Sequence, residues 1–289
     1  MPPAIRPWQP TQEDARAVLQ VDGETFRQCL YSEEDLVSLA RGGKVQVWLG
    51  FLAGEPVGYI CAFRTEGLEG TRWELDLLAV RPAFRRQGWG KALIRAACDA
   101  APPGAQVRAW VAVGNAASQR AFAATGFQPL PTSCELWAYA IRGLQPRPSD
   151  RAWPDIFPVE TPEAARAWAE GHGGPVEALA ARLLHLRQAG VVAWLAGREA
   201  GVLALPVQTL HYRGLWLEDL WARGPWHPAV PALLFRAVEE AKGQAMDEVG
   251  FMLPAGAPWR EALPTQGYGL VGTYREYRRP RAVSPLAQA

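Results

Sequence analysis

Two rhythms take turns along this chain: short apolar runs that alternate or stay continuous, and longer stretches in which apolar residues recur every three or four positions. Positions 4–8 read as a short strand. Thr11, with Asp14 three residues on, has the form of a capping box and opens a helix to about Val21. A second helix covers 32–40. Strands at 45–52 and 56–64 flank Gly54-Glu55 and predict a hairpin. Then come a strand at 73–80, a helix at 91–101 stopped by Pro102-Pro103-Gly104, a strand at 107–113, a helix at 116–125 and a strand at 135–141.

A polar, proline-rich segment around 144–151 predicts a linker between a first domain, 1–143, and a second, 152–289. The second half repeats the order of the first. Thr161 and Pro162 start a helix, and a second helix covers 176–188. Strands at 191–196 and 201–207 flank Gly197-Arg-Glu-Ala. A strand at 215–222, a helix at 232–242 and strands at 248–253 and 273–277 complete it. Leu217-Glu-Asp-Leu-Trp-Ala222 lies over Leu75-Asp-Leu-Leu-Ala-Val80 at an offset of 142, and Gly267-Tyr268 over Gly126-Phe127 at 141. We read a tandem duplication of one α+β unit.

The segment from Asp76 to Lys91 carries the clearest candidate chemistry. An apolar strand ends at Pro82, a basic turn with Gly88 and Gly90 follows, and a helix begins at once. Free N–H groups at a helix N-terminus and the helix dipole favour an anion there. Arg85 and Arg86 add donors suited to phosphate. The turn is neither a dinucleotide fingerprint, which needs a third glycine at Leu93, nor a P-loop. Glycine used for turn geometry alone explains the bare motif equally well.

Arg85-x-x-Gly88-x-Gly90, preceded by Leu78-Ala-Val80-x-Pro82, resembles the acyl-CoA signature of the GNAT acetyltransferase superfamily. A second block of that family also fits: strand 107–113, then Asn115, Ser118, Phe122, Gly126 and Phe127 at the family's spacing. The resemblance covers roughly the first half. It implies two tandem domains, each a mixed, mostly antiparallel sheet flanked by helices. It implies acetyl-CoA as acyl-donor substrate, its pyrophosphate on the N–H groups of Arg86, Gln87, Gly88, Trp89, Gly90 and Lys91 beside Arg85. The pantetheine arm would pair with Leu78, Ala79 and Val80, with Asn115 at its far end and Ser118 and Phe122 on the following helix. Asn115 is equally accounted for as an N-cap. In the second half the cradle becomes Trp226-x-x-Ala229-x-Pro231 and no Asn stands at the counterpart of Asn115. That copy is expected to bind no CoA and to serve as a structural partner or as a wall of the acceptor cleft.

Acetyl transfer to an amine needs a base, because the acceptor is protonated at neutral pH. Glu74 and Asp76 share one face of their strand and are the candidates, Glu74 matching the family's catalytic position; salt-bridged strand side chains are the plain alternative. A backbone N–H near Leu78 would meet the oxyanion. The family's tyrosine acid is replaced by Phe122, which leaves water or Tyr139 for that role, or no acid at all. Trp89 is expected to be exposed, beside the adenine end or at an interface.

Composition narrows the rest. Thirty basic and 29 acidic residues leave a formal net charge of +1, with no charge block that points to nucleic acid. No apolar stretch reaches a membrane span and no signal sequence is evident. Cys29, Cys61, Cys98 and Cys134 read as reduced thiols of a cytoplasmic protein, and the four histidines have no metal-ligand spacing, so no metal is expected. The acceptor is expected to be a small-molecule or peptide amine, met by 21–43, by a loop at 65–72 and by the second half. A homodimer is compatible with the sequence. A CoA-ester sensor without turnover is the alternative function; an aminoacyl-tRNA donor is a weaker third, as it would need a basic groove.

Overall fold

The computed structural model describes residues 4–27, 29–141, 155–224, 229–257 and 260–280. The predicted linker at 144–151 and the start of the second cradle at 226–228 lie outside these residues. The first half contains β1 (Ala4–Pro7), α1 (Gln12–Thr25), α2 (Glu33–Gly42), β2 (Val45–Leu52), β3 (Glu55–Gly67), β4 (Gly70–Val80), α3 (Trp89–Asp99), β5 (Gln106–Ala112), α4 (Ala116–Ala123) and β6 (Gln128–Ala140). The second contains β7 (Ile156–Pro158), α5 (Pro162–His172), α6 (Val176–Gln188), β8 (Val192–Ala196), β9 (Ala200–Gln208), β10 (Arg213–Ala222), α7 (Ala229–Gly243), β11 (Glu248–Pro254) and β12 (Gly269–Arg278). This is the mixed, mostly antiparallel arrangement flanked by helices that the sequence predicts.

Local chemistry explains the element starts. Thr11 caps α1 by accepting from Asp14 N, but the Asp14 carboxylate does not return the bond. It takes Arg6 and the Gln9 N–H instead, fastening α1 to β1. The complete capping box is at Ser32 and Asp35 on α2. The β2–β3 hairpin turns on Ala53 and Gly54, both left-handed, as the right-handed twist of a two-residue connection requires.

The stretch 65–72 is not a loop. β3 and β4 stay paired to Gly67↔Gly70. Contacts from the other half hold this extension: Arg182 of α6 donates to Gly67 O and pairs with Glu66 at 2.8 Å.

The two halves share one twelve-stranded sheet in the order β1-β2-β3-β4-β5-β12-β6-β11-β10-β9-β8-β7. Each half's last strand therefore crosses over: β12 pairs with β5, and β6 pairs with β11. The internal repeat is visible in the register. The parallel pair β4–β5 runs Arg72↔Gln106 to Leu75↔Ala109, and β10–β11 runs Gly214↔Glu248 to Leu217↔Phe251, shifted by the same 142 residues in both strands.

Apolar clusters cover both faces. On one face α3 packs over Trp48, Ile60 and Trp73, and α7 over Val202, Leu215 and Phe251. On the other, α1 and α2 cover Val47, Leu49 and Tyr59, while α5 and α6 cover Leu195, Leu203 and Leu205. Each such large side chain contributes roughly 1.5–3 kcal/mol on burial. Among the described residues no helix is long and apolar enough to cross a membrane.

Candidate functional site

Two concavities meet along β4. The first, about 840 Å³, lies where β4 and β5 part company. Their pairing stops at Leu75↔Ala109, so the main chain from Asp76 to Val80 has no strand on that side. A bulge sharpens the divergence. Tyr59 pairs with Ala79 and Cys61 with Asp76, which leaves one extra residue on β4, and Leu77 takes a left-handed φ of 50°. Leu78, Ala79 and Val80 line the groove, as do Arg85, Arg86, Gly88, Trp89, Gly90, Lys91, Asn115 and Ser118.

The turn above it closes on the N-terminus of α3. Gly88 caps α3 at φ 89° and Arg86 sits at φ 62°, so the loop folds back tightly and leaves the first N–H groups of α3 pointing outward. Arg85 Nε donates to Val80 O at 3.0 Å and braces the loop against the strand end. Gln87 bonds Ala83 O and does not line the groove. Asn115 lines it and also caps α4, its side-chain oxygen accepting from Ser118 N at 3.0 Å.

Two expectations change. Trp89 is buried, not exposed: the first turn of α3 lies on β2, where Gly50 leaves room for the indole. Phe122 is buried edge-on to Phe127 at 5.1 Å and beside Tyr277 of β12 at 6.2 Å, and it lines neither concavity.

The second concavity, about 290 Å³, lies over the middle of the sheet, on the face that α1–α2 and α5–α6 flank without covering. Residues of eight strands, mostly at alternate positions, line it. Asp76, Leu77 and Leu75 bring it to the β4 bulge, one residue from the groove at Leu78. Glu74, Arg72, Arg108 and Trp110 come from the first half; His211, Tyr212, Trp216, Glu218, Glu248 and Tyr274 come from the second.

Glu74 and Asp76 sit two residues apart in opposite circumstances. Glu74 is 7% exposed and fully engaged. Arg108 Nε donates to both its oxygens at 3.0 and 2.8 Å, Thr65 Oγ1 donates at 2.7 Å, and Arg72 lies at 3.4 Å. Burial alone would raise its pKa, but Arg108 and Arg72 outweigh it and hold the carboxyl below its usual range. The network crosses the halves, since Arg72 also pairs with Glu218 and Arg108 with Glu276. Asp76 has no arginine or lysine partner among the described residues. Burial pushes its pKa up, Glu74 adds to the rise, and the Leu77 N–H and His211 offset part of it. Tyr212 and Tyr274 hold their protons firmly, because burial and the nearby Asp76 both disfavour the phenolate.

His211 is anchored to the first half: Nε2 lies 2.7 Å from Asp22 Oδ1, which also accepts from Tyr59 OH at 3.1 Å. Its ring meets Phe26, a groove residue, edge-on at 5.5 Å. Tyr139 is not near this chemistry. It points to the opposite face of β6 and packs on Tyr268 at 5.5 Å. The sequence offers one sign of the missed residues: Glu218 is the repeat counterpart of Asp76.

Arg108 is the hinge of the ion-pair network, and Arg108→Ala is expected to cost about 3–5 kcal/mol by leaving buried carboxylates uncompensated. Urea unfolding of both proteins measures it; a loss below about 1 kcal/mol would mean that water replaces the guanidinium.

The model of the Acetyltransferase (GNAT) family matches residues 10–127. No curated protein is similar to the chain by sequence. Among solved structures, a GCN5-related N-acetyltransferase from Sphaerobacter thermophilus superposes with a TM-score of 0.56 at 19% identity, over 97% of this chain and 98% of that one. A tandem GNAT protein from the clavulanic acid biosynthesis pathway superposes with a TM-score of 0.53 at 14% identity, over 98% and 100% of the two chains. These likenesses show the fold.

Proposed function

We propose that this protein moves the acetyl group of acetyl-CoA to an amine held in the inter-half cavity, since residues 10–127 match the model of the Acetyltransferase (GNAT) family, whose members catalyse acyl transfer from acyl-CoA. The observation that carries this reading is the junction of two concavities at the β4 bulge. One concavity ends at the glycine turn of α3, and the other holds a carboxylate with no arginine or lysine partner among the described residues.

In this reading acetyl-CoA lies along Leu78–Val80 with its pyrophosphate on the α3 N-terminus. The acceptor ammonium gives a proton to Asp76. The neutral nitrogen then attacks the thioester carbonyl, and a backbone N–H beside the bulge meets the oxyanion. The C–N bond forms, the C–S bond breaks and the nitrogen gives its second proton to solvent. The departing thiolate takes a proton from solvent; Tyr274, whose phenol is held protonated by burial and by Asp76, gives none. Glu74 positions Arg108 and the strand and takes no proton.

The direct test is thiol release from acetyl-CoA across a panel of amines. Release with one acceptor class supports the transferase; CoA-ester binding without release from any amine would leave a sensor. The cradle has its own test. Gly88→Asp places a carboxylate at the anion site and a side chain at φ 89°. Acetyl-CoA affinity by calorimetry is expected to fall about 10–100-fold. Unchanged affinity in a folded variant would remove the cradle from the binding site.

A further inference from the structure

The cavity has a second carboxylate that the proposed chemistry leaves idle. Glu248, at the start of β11, lines the end formed by the second half. Among the described residues it has no hydrogen bond or ion pair with a side chain, whereas Glu74, Glu218 and Glu276 all face arginines.

The repeat shows how this arose. The register that places Gly250 opposite Trp216 places Arg108 opposite Glu74 in the first half. Where the first half carries a guanidinium, lying 6.0 Å over the Trp110 ring, the second carries glycine. A Cβ built on Gly250 would lie 3.0 Å from the Trp216 ring and 3.8 Å from Glu248 Oε1. A carboxylate and an indole therefore overhang the same bare stretch of strand. That pairing suits a cation, which gains from the charge and from the ring face together. Tyr212 lines the same cavity as both carboxylates.

Resting on the acetyl-transfer reading, we propose that the acceptor is a small amine with a second basic group, ammonium or guanidinium, and that Glu248 and Trp216 receive that group while Asp76 receives the reacting nitrogen. The volume of about 290 Å³ suits a small molecule. Aromatic walls at Trp110, Tyr212, Trp216 and Tyr274 suit its apolar span.

The charges around Glu248 set a pH dependence. Burial and the adjacent Asp247 push its pKa up to about 7. Glu74, Asp76, Glu218, His211, Tyr212 and Tyr274 share its cavity, as do Arg72 and Arg108. A bound cation favours the ionised form, so affinity for a diamine rises as pH passes upward through about 7 and a proton is released on binding.

The test compares linear alkane diamines, from propane to octane, each with the monoamine of the same chain. Calorimetric binding to the protein and kcat/KM with acetyl-CoA are both measured on wild type and Glu248→Gln at pH 6 and pH 8. The expected result is at least a tenfold preference for one diamine at pH 8, smaller at pH 6, collapsing to about one in Glu248→Gln mainly through KM. A ratio near one in wild type, or a preference that survives in a folded Glu248→Gln protein, overturns the proposal. Failure of the transferase reading looks different: no amine releases thiol, yet the calorimetric preference still decides whether Glu248 is a cation seat.

Discussion

Asp76→Asn is expected to lower kcat by about 10²–10³ and to leave acetyl-CoA affinity within about twofold. The first number is the usual worth of a positioned general base. The second follows from geometry, since Asp76 lines the acceptor cavity and not the donor groove. Asparagine keeps the shape and removes only the ability to take a proton. Glu74→Gln makes the contrasting case. Glu74 is held ionised by Arg108 and Arg72, so its loss is expected to appear first as lowered stability. The pH profile adds a sign. Asp76 must be ionised to accept a proton, and burial raises its pKa. The acid limb of kcat/KM should therefore lie above the pH of an ordinary aspartate, near 4, and Asp76→Asn should lose it. Full activity in Asp76→Asn with none in Glu74→Gln would reverse the assignment of the base.

Residues 1–143 expressed alone are expected not to fold as a monomer. In the native sheet both neighbours of β6 come from the second half, β12 on one side and β11 on the other. The fragment would leave β6 with no partner and β5 with a bare edge, which invites aggregation or pairing between copies. The core also loses Tyr277, which packs with Phe122 and Phe127. Size-exclusion chromatography and circular dichroism of the fragment, alone and with 152–289 supplied in trans, decide the matter. A soluble, folded monomer without its complement would show that the strand exchange is dispensable.

Several features were legible in order of residues alone because they are local. Thr11, Ser32 and Thr161 sit next to the helices they cap, and Gly88 stands inside the turn it permits. The cradle and the Asn115 block are short segments whose spacing reflects one strand, one turn and one helix. The duplication was readable because two copies of one unit keep their period, and the sheet register reproduces it at 142. Trp89 was misjudged for the converse reason: its burial depends on Gly50, 39 positions away, which no local pattern reports.

What the sequence by itself determined is the run of elements, the glycine turn ahead of α3 and a pair of carboxylates on one strand face. Only the tertiary structure decided which carboxylate stays free, because Arg108 lies 34 residues from Glu74 and Glu218 lies 146 from Arg72. It also decided that β12 pairs with β5 and β6 with β11, pairings across the two halves that no local pattern reports. Propensity and period act within a few residues; pairing, burial and charge compensation act across the whole chain, and they built the cavity from both copies.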